Sequence, residues 1–275
     1  MLVLFILFCA SCEEKSTDRY CEAIELLSKE GISIYASYNG LYRLTKEKSE
    51  WEMIIEDVQG HMPQEVTIQN GNVFFFDIND YTIKRINIDI PSDCVNELEI
   101  GNVPNVISVS RNLENIAYSS DKTVFCYERE KISQFKFPST VQSIAWAYDN
   151  KLLFVSSNNE ILAINLENAT MDKIANGTWI FVLSESLIGY FDIKRSSCYR
   201  KDLASEKEVL VQKMNQDVVA IDWSNNGKYI IASKRQKNGL FQWTVELELY
   251  DIDNRKKYIL PQFITYTGCV FFTEN

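Results

Sequence analysis

The sequence predicts an all-β protein: a six-bladed β-propeller of four-stranded antiparallel blades. Three observations carry this. A strand pattern repeats along the chain at the period of one blade. The repeated segments are rich in β-branched and aromatic residues and are cut by Asn, Asp, Ser and Gly turns. The composition of the 275 residues, 46% hydrophobic and 24% charged, is that of an ordinary globular chain.

A first, inner strand is read at residues 65–68, 106–109, 143–146, 179–182 and 219–223, with starts 36 to 41 residues apart. A four-stranded propeller blade takes about 40–45 residues. The rest of each unit follows one plan. In the last full unit Asp222-Trp223 ends strand one, 224–228 turns, and 229–233 is strand two. Strand three is 242–250, 251–255 turns again, and 256–260 begins strand four. The fourth unit has its turn at 148–151, strand two at 152–156 and strand three at 160–165; the third turns at 110–115 into a strand at 116–119. Cys126-Tyr127-Glu128 and Cys198-Tyr199-Arg200 correspond on third strands two blades apart, so those cysteines are not bonded to each other.

The ends decide the blade count. Residues 23–31 parallel 220–227 and open a first blade that continues through 32–37, 40–44 and 50–55. The tail, 263–275, supplies one or two further strands that pair with the first blade and close the ring. In that case 23–28 is displaced into a helical turn. Closure is needed because an open propeller exposes unpaired strand edges. A seventh blade shared between the two ends is the rival reading.

The segment Trp223-Ser224-Asn225-Asn226-Gly227-Lys228-Tyr229-Ile230 resembles the TolB-type propeller repeat, whose core reads W-S-P-D-G-K-x-I. Leu249-Tyr250-Asp251-Ile252-Asp253 resembles the L-Y-x-x-D that closes strand three in that family. Asn225 and Asn226 stand where the family has Pro and Asp, and both suit turns. The resemblance implies the propeller shared by TolB, bacterial surface propellers and the propeller domains of prolyl oligopeptidases. It extends to the repeat and not to TolB as a whole, since no helix-period segment of useful length precedes residue 31.

Residues 1–11 carry no charged side chain, and Cys12 opens an abruptly polar stretch. Eleven helical residues rise about 16 Å, too short for a hydrocarbon core of roughly 30 Å. A short apolar run, small Ala10 and Ser11 and a boundary cysteine match the end of a secretory signal. Cys9-Ala10-Ser11-Cys12 resembles a bacterial lipobox, with Cys9 where Leu is usual. That resemblance implies cleavage before Cys12, lipid on its thiol and a bacterial cell envelope location, either periplasmic or surface-facing. The basic n-region usual before such a run is missing, which fits a start upstream of Met1. The organisation expected is thus a signal peptide at 1–11, a polar tether at 12–21 and one propeller domain at 22–275. The competing reading makes 1–11 a buried first strand of a cytosolic scaffold.

Excluding Cys9 of the signal and an acylated Cys12, five cysteines remain, 21, 94, 126, 198 and 269, so at least one thiol stays free. Cys21 and Cys269 lie near the two ends, which a ring brings together, and are the candidate disulfide. The alternative is that all five are small buried hydrophobes.

Chemical sites are few. Lys and Arg total 28 against 38 Asp and Glu, a net charge of −10, which argues against a nucleic-acid or anionic-membrane surface. The single histidine, His61, sits in a connector between blades one and two without an identifiable nucleophile, so no catalytic residue is assigned. The clusters Asp77-Ile78-Asn79-Asp80 and Asp251-Ile252-Asp253-Asn254 fall at strand ends and lack calcium-loop spacing, so they read as turns rather than metal ligands. No cofactor is implied. Trp146 and Trp223 end equivalent first strands, and packing between blades is preferred over sugar stacking along a channel. The basic segment with Lys234, Arg235 and Lys237 reads as a long hairpin tip and a possible contact element. The function expected is a lipid-anchored, non-enzymatic scaffold that binds another envelope protein and meets the membrane only through its lipid. The rivals are a polysaccharide-active or ligand-binding propeller with carboxylates at the channel mouth, and the cytosolic scaffold.

Overall fold

Strand two is the most apolar segment of each unit because it is covered on both faces. In the computed structural model of the protein, Asn72–Asp77, Leu152–Ser157 and Leu187–Asp192 have at least four consecutive buried residues each. Fourth strands such as Ile90–Glu99 and Glu208–Lys213 are mostly exposed. A strand sandwiched between neighbouring sheets needs apolar residues on both faces, whereas an outer strand needs few. The structure describes residues 22–37, 40–45, 50–56, 66–128, 131–214, 217–238, 242–260 and 269–274. Cys12, Cys21 and His61, and with them the signal and tether, lie outside the described residues.

Six four-stranded antiparallel sheets form six blades. Blade 1 holds β1 (Ile32–Ser37), β2 (Gly40–Leu44) and β3 (Trp51–Glu56). Blade 2 holds β4 (Thr67–Gln69), β5 (Asn72–Asp77), β6 (Thr82–Asn87) and β7 (Ile90–Glu99). Blade 3 holds β8 (Val106–Val109), β9 (Asn115–Ser120), β10 (Thr123–Glu128) and β11 (Lys131–Lys136). Blade 4 holds β12 (Val141–Trp146), β13 (Leu152–Ser157), β14 (Glu160–Asn165) and β15 (Met171–Ala175). Blade 5 holds β16 (Trp179–Val182), β17 (Leu187–Asp192), β18 (Ser197–Asp202) and β19 (Glu208–Lys213). Blade 6 holds β20 (Val218–Trp223), β21 (Tyr229–Asn238), β22 (Gln242–Asp251) and β23 (Lys256–Leu260).

The last strand, β24 (Cys269–Glu274), completes blade 1 by pairing antiparallel with β1, from Ile32 opposite Glu274 to Ser37 opposite Cys269. It takes the innermost place, so the chain's two ends share one sheet and no seventh blade forms. Residues 23–28 therefore do not form a strand parallel to 220–225. They belong to a helix, α1 (22–29), whose Ala23, Ile24 and Leu27 are buried against blades 6 and 1. The i, i+1, i+4 spacing puts these three on one face. Gly31 at φ +70° ends the helix and turns it into β1.

The core is divided into layers. Six apolar clusters lie between successive blades, one of them at the closing seam. Cys126 on β10 and Cys198 on β18 are free and buried in two of these layers, on equivalent strands. Trp146 and Trp223, the last residues of their first strands, are 6% and 3% exposed and face the preceding blade. The ring of Trp223 lies on the bare backbone of Gly189, where a Cβ would come within 2.5 Å of it.

The turn from strand one to strand two is built alike in three blades. In blade 6 the Tyr229 amide donates to Ser224 Oγ at 2.9 Å, the Lys228 amide donates to Asn226 Oδ1 at 2.9 Å, and Gly227 adopts φ +72°. Blade 3 places Ser110, Asn112 and Leu113 in the roles of Ser224, Asn226 and Gly227, with Leu113 at φ +62°. Blade 4 uses Ala147, Asp149 and Asn150, the last at φ +58°. The motif that is most nearly matched at residues 223–230 thus persists as geometry where its letters have changed.

Candidate functional site

The first strands line the central channel, and their last residues reach one of its mouths. There a cavity of about 170 Å³ is walled by β4, β8, β12, β16 and β20 and by three of the turns that follow them. Blades 2 to 6 all contribute. From the turns come Arg111, Tyr148 and Asn225, each the second residue after its first strand. These occupy the proline position of the W-S-P-D-G-K pattern. Proline would fix the turn and present no polar group; here three different side chains take its place.

The polar groups at this mouth are positioned by neighbours rather than left loose. The Arg111 guanidinium lies 3.7 Å from the centroid of the Tyr148 ring, joining blades 3 and 4 by a cation–π contact. The Arg111 carbonyl accepts from Asn70 Nδ2 at 2.6 Å, which ties in the turn of blade 2. Asp222 supplies the one carboxylate among the described lining residues. The tryptophan N–H groups are already used, Trp146 donating to Ser108 O at 3.2 Å and Trp223 to Gly227 O at 3.1 Å. Only ring surface is left to the cavity. Such a site can bind by hydrogen bonds, one positive and one negative group, and aromatic contact. Acid–base cleavage of a glycoside needs two carboxylates, and the described lining has one.

The other sequence candidates fall elsewhere. Asp77 and Asp80 both grip Lys84, at 2.6 and 2.8 Å, and Asp77 Oδ1 accepts the Asn79 amide at 2.9 Å. An ammonium group occupies the space between those carboxylates, which closes the β5–β6 hairpin. Asp251 accepts the Asn254 amide at 3.0 Å and caps the β22–β23 turn. Among the described residues no group of three or more His, Cys, Asp or Glu is arranged to hold a metal.

The basic segment is a strand rather than a loop tip. β21 runs to Asn238, and Lys237 lies opposite Trp243 of β22. Lys234 is 6% exposed and pairs with Glu248, while its ammonium donates to the Tyr250 hydroxyl at 2.8 Å. Burial raises the Glu248 pKa, but hydrogen bonds from Lys234, Lys257 and Tyr250 outweigh it and hold the carboxyl down at about 2. A hydrophobic inter-blade layer demands that its one lysine be neutralised, so Lys234 is withdrawn from any surface contact. Arg235 is exposed.

No protein-family profile matches the sequence, and no curated protein is similar to it in sequence. Solved structures do match in shape. The chain superposes on TolB from Acinetobacter baumannii with a TM-score of 0.67 at 10% identity, covering 89% of this chain and 67% of that one. The fold is that of a six-bladed β-propeller, and it is similar to the propeller of TolB. A chain of the nidogen/laminin complex matches this propeller with a TM-score of 0.66 at 12% identity, over 88% of this chain and 98% of that one. Kuenenia stuttgartiensis hydrazine synthase matches with a TM-score of 0.54 at 14% identity, over 74% and 69%.

Asn225 stands inside the motif that the sequence shows and Asp222 directly before it, but Arg111 and Tyr148 are visible in the sequence only as turn residues. The signal that finds them is positional: each sits two residues past its inner strand, where the TolB-type repeat has proline.

Proposed function

We propose that the protein is a non-enzymatic, protein-binding propeller that presents the mouth formed by its first-to-second-strand turns to a partner. The observation that carries this reading is the convergence of Arg111, Tyr148 and Asn225 from equivalent turns onto one mouth that holds a single described carboxylate. A rigid ring supplies fixed positions and its turns supply variable side chains. The match to a chain from a nidogen/laminin complex supports protein binding as a use of this shape. The lipobox-like Cys9-Ala10-Ser11-Cys12 supports an anchor at Cys12 in a bacterial envelope, with another envelope protein as the partner.

Two measurements test this. A photo-crosslinking residue at position 148, in the native host, is expected to yield a discrete protein adduct that the same residue at position 132 of β11 does not; Ile132 is 55% exposed on the outer rim. Equal labelling from both positions, or none from 148, overturns the mouth as the binding face. Metabolic labelling with a palmitate analogue is expected to mark the wild type and not Cys12→Ala. Absence of label from the wild type removes the anchor.

A further inference from the structure

The same end of the ring carries a second recess, between blades 5 and 6. It encloses about 610 Å³ between the outer strands of blade 5 and the β22–β23 turn. Its apolar lining includes Val211 and Ile252, and its cations are Arg200, Lys207 and Arg255. Three cations in one recess stand out on a chain of net charge −10. None of the three makes an ion pair among the described residues. The recess's one carboxylate, Asp202, is committed to the β18–β19 turn, accepting the Ser205 amide at 2.7 Å, the Ser205 hydroxyl at 2.8 Å and the Ala204 amide at 3.1 Å. Asp253, on the facing turn, acts on Arg200 electrostatically without pairing with it. Arg200 is held in place, donating through Nη2 to Gly227 O, with its guanidinium 5.7 Å from the Trp223 ring centroid. Its Nε is buried and has no acceptor. A buried donor without an acceptor is costly.

The recess also has a backbone edge. β19 is the last strand of its sheet, and its Val209 and Leu210 are 47% and 45% exposed. A small anion would satisfy the cations but leave that edge and those side chains uncovered. An extended chain satisfies all three, since added strands gain affinity from main-chain hydrogen bonds and specificity from alternate side chains. We propose that this recess binds an acidic, extended peptide segment of a partner protein, laid along β19 with its carboxylates on Arg200, Lys207 and Arg255. The proposal rests on the protein-binding reading above and adds a second contact on the same face, joined to the channel mouth through Trp223 and the turn that ends at Lys228.

The test uses the full chain and a fluorescent peptide of alternating valine and glutamate, with glutamine-for-glutamate and lysine-for-glutamate versions as controls. The glutamate peptide is expected to bind at low salt, more weakly as salt rises, and at least about tenfold tighter than either control. The double variant Lys207→Glu/Arg255→Glu, which changes only exposed residues, is expected to weaken it at least about tenfold, and Arg200→Gln likewise. Should Arg200→Gln fail to fold, the double variant decides. Equal affinity for the three peptides, unchanged affinity in the double variant, or no binding of the glutamate peptide overturns the proposal. In those cases a persisting crosslink from position 148 shows that only the recess has failed, whereas its loss removes the protein-binding reading itself.

Discussion

Blade 6 is held on its two sides by different means. Toward blade 5 the repeat supplies the contact: Trp223 at the end of strand one lies on Gly189, and Arg200 reaches across to Gly227 O. Toward blade 1 no such tryptophan-on-glycine contact occurs among the described residues. That seam is filled by Ala23, Ile24 and Leu27 of α1 and tied by Lys228 to Glu30 at 2.9 Å and Lys256 to Glu22 at 3.1 Å, while β24 joins β1 through the backbone. A repeated unit can encode its packing onto the unit before it in the chain. It cannot encode ring closure, which pairs the last unit with the first and falls to segments outside the repeat. The division extends to the two faces proposed for binding. The repeat side of blade 6 lines both the channel mouth and the recess, whereas on the seam side Asn226 and Lys228 are spent on Glu30.

The sharpest way to break this comparison is Trp223→Ala. Loss of a buried tryptophan costs about 3–5 kcal/mol, read as a fall in denaturant midpoint. A cost similar to that of a surface substitution would show that the repeat contact does not hold the blades. Glu248→Gln comes next. It leaves Lys234 charged and unpaired in the blade 5–6 layer, at a cost of about 3–5 kcal/mol for breaking one partner of a buried pair. The same pair sets a pH dependence. The carboxyl's folded pKa is depressed from an ordinary 4.5 to about 2, so its stabilisation is complete above pH 4.5 and is lost as pH falls toward 2. Thermal melts of the wild type are expected to fall across that window, and those of Glu248→Gln to fall less.

On the seam side Leu27→Ala should cost about 2–4 kcal/mol. Hydrogen exchange should then rise first in β24 and β1, since the helix covers that joint. Exchange that rises uniformly would mean the seam is no weaker a unit than the repeat interfaces. The smallest effect is that of Gly227→Ala, about 1–2 kcal/mol, because its φ of +72° places an alanine in the left-handed region. Since Leu113 already holds the equivalent position in blade 3, Leu113→Gly should relieve backbone strain there, against the loss of its packing.

Most of this architecture is legible in the residues. The 36 to 41 residue period, the apolar second strands and the Asn/Asp turns mark the blades, and the unmatched tail at 263–275 signals closure on blade 1. Residues 23–28 are ambiguous because an apolar pattern shared with strand one of the last unit serves as well for a short helix face. Lys234 deceives for a different reason. A run of Lys and Arg reads as a solvated tip, and only the cross-strand neighbours Glu248 and Tyr250, more than a dozen residues on, reveal a buried pair. Arg111 and Tyr148 reach the mouth because equivalent turns converge in the ring, a juxtaposition that no single unit displays.

The central claim is that the repeat-built end of the channel recognises a protein while the seam only closes the ring. The direct measurement is the affinity of the partner captured from position 148 for two variants, Arg111→Ala at the mouth and Lys228→Ala at the seam, well below their melting temperatures. The account predicts a loss of at least about tenfold, roughly 1.4 kcal/mol, for Arg111→Ala and no change for Lys228→Ala. Equal losses, or a loss confined to Lys228→Ala, would contradict it.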